Sequence, residues 1–178
     1  MMAGAQALLV LDLQVGAFEG RWAMPDGDVL IQACQQAVAW ARVARAMVIW
    51  VQHHEPGGAL SGPGFAIDAR LNPQADEARL LKAEPDAFTN PALAPLLAGM
   101  DRVLVAGLQS ELCVRATVRG GRAAGFPVVL IADAHHTWPT PQRAAGQVRD
   151  AVNAELGRDG VPLETLAGLR LPFAHALR

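Results

Sequence analysis

Residues 103–134 read VLVAGLQSELCVRATVRGGRAAGFPVVLIADA. Two unbroken apolar runs enclose a tight turn, an amphipathic segment with Cys113 in its first turn, and a glycine stop. Apolar runs this short, bounded by turn residues, are strands covered on both faces, as in parallel sheets. The segment between them is long enough for a helix. A cysteine just past the end of such a strand, in the first turn of a helix, meets the positive end of the helix dipole and its free N–H groups. That is where a thiolate is easiest to make.

The rest of the chain repeats the alternation. Residues 7–11, 47–51, 79–81, 102–106 and 127–132 read as strands, with a weak sixth at 161–164. Helical patterns fall at 29–46, 92–98, 111–124 and 141–156, giving an α/β fold of three layers around a parallel sheet. With 178 residues, 52% of them hydrophobic and 18% charged, one domain over residues 1–178 is expected. A net charge of −2 supplies no basic surplus, so neither a nucleic-acid nor an anionic-membrane partner is expected. The first apolar run is far too short for a signal-peptide core or a membrane span. Two cysteines make no disulfide framework, which points to a cytoplasmic location.

Three strand ends carry chemistry: Asp12, Lys82 and Cys113. Ligands of open α/β sheets bind at this rim. Should the three meet, Cys113 is the nucleophile, Asp12 takes and returns its proton, and Lys82 holds the two together. Which strands are neighbours is open at this point. The long Gly/Pro-rich segment 56–73 reads as a wall or lid. Phe18 and Trp22, after Asp12, are candidates to flank a planar substrate, though Trp22 serves equally well as packing. His135 and His136 follow the fifth strand and lie either at the site mouth or on the surface. Cys34 falls on the apolar face of the first helix and reads as a structural thiol. Gly120 and Gly121 inside the cysteine helix suggest close packing against another helix or a subunit.

The segment Gly107-Leu-Gln-Ser-Glu-Leu-Cys113-Val114, with Thr117, Gly125 and Asp133-Ala134, resembles the nucleophile signature of the isochorismatase-like cysteine hydrolases. These include nicotinamidases, N-carbamoylsarcosine amidases, ureido-group amidohydrolases and isochorismatase itself. Leu8-Leu-Val-Leu-Asp12-Leu-Gln14 resembles the family's first motif, and Lys82 with Asp86 and Phe88 its lysine motif. The resemblance implies a six-stranded parallel sheet of order 3-2-1-4-5-6 and a catalytic triad of Asp12, Lys82 and Cys113. It also implies a cis peptide between Leu108 and Gln109, and an oxyanion hole from the N–H groups of Gln109 and Cys113. The implied reaction is hydrolysis of a C–N bond in a small-molecule amide, ureido compound or cyclic amide, through a Cys113 acyl-enzyme without a cofactor.

Phe18, Trp22, His53 and Leu108 are the expected substrate-binding residues, and a homo-oligomer is expected from the family's habit. Nicotinamidases hold a metal through an aspartate and histidines after the second strand. Here that position reads Gln52-His53-His54-Glu55, and two adjacent histidines on an extended segment point opposite ways, so no metal is expected. Two other readings stand beside the hydrolase: an idle metabolite-binding relative, and a redox-sensing thiol protein.

Overall fold

The computed structural model describes residues 4–169. Period-two alternation divides each apolar run between two layers. In β1 (Gln6–Leu11), Leu8 and Val10 pack on one face, while Ala7, Leu9 and Leu11 pack on the other. β2 (Met47–His53) does the same with Trp50 against Ile49 and Val51, and β4 (Arg102–Leu108) with Leu104 and Ala106 against Val103 and Val105. The first face is covered by α1 (Gly27–Val43) through Leu30, Cys34, Ala37, Val38 and Ala41. The second is covered by α2 (Leu93–Leu96), α3 (Arg115–Ala123) and α4 (Ala145–Arg158) through Leu93, Val118, Val152 and Leu156. With β3 (Ala78–Lys82), β5 (Val128–His136) and β6 (Leu163–Glu164), the sheet has six parallel strands in the order β3-β2-β1-β4-β5-β6. This is the expected fold class and strand order.

Several boundaries differ from the expected ones, each for a local reason. α1 stops at Val43 because Arg45 turns left-handed at φ 57°. α4 begins at Ala145 rather than 141, because residues 140–143 close a turn of their own and Gln147 Oε1 accepts the Ala144 N–H. β5 runs four residues further than expected, because a register shift after Val105 lets His135 and His136 pair with Gly107 and Leu108. Cys113 does not lie in the first turn of an α-helix. It sits in a wide π turn, Ser110–Val114, in which the Val114 N–H reaches back five residues to the Gln109 carbonyl. The tail beyond Leu169, where the sequence shows no pattern, lies outside the described residues. Among the described residues no helix is long and apolar enough to cross a membrane.

Two close approaches fix the functional rim. Gly107, at φ 123°, faces Leu11 across β1 and β4, and a Cβ there would lie 2.2 Å from the Leu11 carbonyl oxygen. The glycine therefore sets how closely the Asp12 strand end approaches the Cys113 turn. Gly120 of α3 makes room for Asp86, and the Ala87 N–H donates to Thr117 Oγ1 at 3.0 Å. The segment after Lys82 is thus docked directly on the cysteine helix, so α3's glycines pack within the chain. Gly107→Ala should cost about 2–4 kcal/mol, combining a left-handed alanine with a backbone clash. Chemical denaturation checks this; a loss under about 0.5 kcal/mol would contradict it.

Candidate active site

Four adjacent strand ends meet at one point. Asp12 follows β1 directly, 1% exposed and left-handed at φ 57°, its N–H bonded to the Val51 carbonyl at 2.8 Å. Lys82 ends β3 and lies beside His53, the last residue of β2. Its side chain is fully buried and reaches past His53 to Asp12 Oδ2 at 2.9 Å. Cys113 Sγ, delivered by the turn after β4, is 3.2 Å from Lys82 Nζ, and His53 Nδ1 is 3.0 Å from it. The peptide between Leu108 and Gln109 is cis.

An ammonium has three N–H donors and no acceptor, so all three of its neighbours must accept. His53 therefore offers a bare Nδ1 and carries its ring proton on Nε2. Its pKa is lowered, first by burial and then by Lys82, which keeps the imidazole neutral. Asp12 spends Oδ2 on Lys82, while Oδ1 is buried and without a hydrogen-bond partner. Burial raises the Asp12 pKa against the opposing pull of Lys82. The thiol differs from the sequence expectation. Burial, and then the Asp12 carboxylate, push the Cys113 pKa up to about 12 although Lys82 pulls it down. Burial and Asp12 thus favour the protonated thiol over a free thiolate. Asp12, His53 and Cys113 have donor atoms within 4.8 Å of one another, the spacing of a metal site. The ammonium of Lys82 stands among them at 2.9–3.2 Å and is the cation they surround.

Above this group lies a cavity of about 800 Å³. Asp12, His53, Leu108, Gln109 and Cys113 line its inner part, and Gly57 to Leu60 supply the wall expected of the long loop. Trp22 and Trp138 line it as well, joined by a 2.9 Å hydrogen bond from Trp138 Nε1 to the Trp22 carbonyl. Arg21, stacked on the Trp22 ring at 4.7 Å, and Glu55 are its charged lining residues away from Asp12. Leu112 and Glu55 also line the cavity, neither of them an expected site residue; Leu112 directly precedes Cys113, and Glu55 is next but one to His53.

Three expected placements are corrected. Phe18 is not among the cavity residues: its ring fills the space left by the missing side chain of Gly27, under the Arg70 guanidinium. His135 and His136 are neither at the mouth nor on the surface, but buried within the extended β5. His53 and His54 do point apart, His54 being exposed and edge-on to Phe65.

Residues 6–155 match the family model of the isochorismatase domain. Two streptothricin hydrolases of Streptomyces noursei are 36% and 35% identical over 156 residues, which is 85% of this chain. The chain spans only 61% and 56% of their lengths. An isochorismatase family protein from Desulfovibrio vulgaris superposes with a TM-score of 0.81 at 25% identity, covering 94% of this chain and 97% of that one. An isochorismatase from Pseudomonas putida gives 0.82 at 24% identity, covering 93% and 90%, a likeness of fold.

Because Asp12 opposes the thiolate and Lys82 favours it, substitutions at the two should move Cys113 in opposite directions. Asp12→Asn should lower the pH midpoint of Cys113 alkylation by about one pH unit or more, and Lys82→Met should raise it. Iodoacetamide labelling read by peptide mass spectrometry measures both. An unchanged or higher midpoint in Asp12→Asn would contradict the assignment.

Proposed function

The chain belongs to the isochorismatase family of hydrolases, and on that premise we propose that it cleaves a C–N bond of a small molecule through a Cys113 acyl-enzyme. One observation carries this reading. Lys82 Nζ holds Asp12 Oδ2 and Cys113 Sγ together in the cavity, while Asp12 Oδ1 has no partner. A raised carboxylate with a free oxygen beside a thiol that keeps its proton is a base waiting for its acid.

The steps follow from that arrangement. As Cys113 Sγ bonds to the carbonyl carbon, its proton passes to Asp12, so the raised thiol pKa is overcome by bond formation rather than by prior ionisation. The carbonyl oxygen gathers negative charge on the N–H groups of Gln109 and Cys113. Asp12 then gives the proton to the departing nitrogen, and ammonia or an amine leaves a thioester. Water attacks the thioester while Asp12 takes its proton. Collapse expels the Cys113 sulfur, which recovers the proton, and a carboxylic acid is released. Lys82 stays charged throughout, its three donors holding the reacting groups in register. His53 Nε2–H is free of Lys82 and available to an acceptor on the substrate.

Trp22, Trp138 and Leu60 favour a substrate with a flat or apolar body. Two relatives are named for hydrolysing streptothricin, so that compound belongs among the test substrates. The redox reading loses support because Cys34 is fully buried under α1 with its thiol bonded to the Ala134 carbonyl.

Ammonia or amine release from a panel of amides, ureido compounds and cyclic amides tests the proposal. Cys113→Ala should lower kcat/KM by about 10³-fold or more, and Asp12→Asn by about 10²–10⁴-fold. Turnover by Cys113→Ala at the wild-type rate would refute it. Ligand-induced stabilisation with no product from any amide would favour the idle-relative reading instead.

A further inference from the structure

Behind the nucleophile turn lies a buried polar chain that none of these steps uses. Ser110 and His135 are 0% and 1% exposed. Ser110 Oγ is 2.9 Å from His135 Nδ1, and His135 Nε2 is 2.9 Å from Asn153 Oδ1 on α4. Asn153 Nδ2 in turn donates to the Ala132 carbonyl of β5 at 3.0 Å.

The chemistry of the groups fixes every proton along this chain. The Ala132 carbonyl can only accept, so Asn153 turns its nitrogen towards it and its oxygen towards His135. His135 Nε2 must then carry the ring proton. Burial keeps the imidazole neutral, its pKa pushed down to about 4, so Nδ1 is bare and accepts the Ser110 hydroxyl. Each member meets its partner with the only atom it can use. A chain this fully satisfied, buried at Ser110 and His135 and partly exposed only at its Asn153 end, holds the turn firmly.

The end it holds is the turn that matters. The Gln109 carbonyl accepts the N–H groups of Leu112 and Val114, both at 3.1 Å, which closes the turn from within. Ser110, the next residue, ties it from outside to β5 and α4. Small displacements of an oxyanion donor or a nucleophile cost large factors in rate, and Gln109 and Cys113 lie one and three residues from this tie.

We propose that His135 is a positioning residue of the reaction. Through the Ser110 hydroxyl it holds residues 109–114, and with them the Cys113 thiol and the Gln109 N–H, at the spacing that attack on a carbonyl needs. The kinetic consequence rests on the hydrolase reading above; the ordering of the turn does not.

The test uses Ser110→Ala, His135→Phe and the double variant. Ser110→Ala removes a single oxygen and keeps the test open if His135→Phe does not fold. Each single variant should lower kcat about 10–100-fold with KM within about threefold, and the double should be no worse than the stronger single, since both cut one chain. Amide hydrogen exchange at Leu112 and Val114 should accelerate by about tenfold or more, with β1 amides unchanged. Wild-type kcat in folded Ser110→Ala, or exchange that rises evenly across the protein, overturns the positioning role and leaves the hydrolase reading intact. A wild-type protein inactive on every amide, with the localised exchange signature present, removes the hydrolase reading and supports the role in ordering the turn.

Discussion

A lysine ammonium with no solvent exposure is the constraint on which the rest of the structure turns. Burying an unpaired charge costs far more than any single interaction in a domain returns, so Lys82 is tolerable only with all three N–H groups engaged. Those partners come from three other strand ends: Asp12 after β1, His53 on β2 and Cys113 after β4. The strand order β3-β2-β1-β4 is what makes them neighbours. Fold and site are thus one arrangement. The apolar strands bury the sheet, and the sheet's rim collects the few polar groups able to satisfy a charge there.

The same burial sets the chemistry. Desolvation raises both Asp12 and Cys113, so neither group behaves as it would in water. A cysteine on a wide turn near a helix start invites the idea of a standing thiolate. Burial and the carboxylate beside it oppose that and favour the thiol. In the proposed reaction, Asp12 carries the thiol proton to the atom that leaves.

Much of this was legible in the sequence, for reasons that can be named. Asp12, Lys82 and Cys113 each follow an apolar run short enough to be only a strand, and parallel strands end on a common rim. Their adjacency was not legible from pattern alone, because strand order is a non-local property; it came through the family resemblance. His135 was misplaced because the register shift after Val105 lengthens β5, and no composition signal marks such a shift. Phe18 was misplaced because its direction depends on the absent side chain of Gly27 and on Arg70, far away in sequence. The π turn at Ser110–Val114 has the same hydrophobic pattern as an α-helix start and differs only in one hydrogen bond. The thiol's raised pKa follows from burial and from Asp12, and neither distance nor depth is written in a local motif.

In the proposed reaction, this buried group makes Cys113 an acyl-transfer nucleophile. Quenched-flow mass spectrometry of the wild-type protein with excess amide substrate examines it directly. A burst of ammonia or amine stoichiometric with protein is expected, matched by a mass increase at Cys113 equal to the acyl portion of the substrate. Steady product formation with an acyl group on another residue, or with no dependence on the Cys113 sulfur, would contradict it.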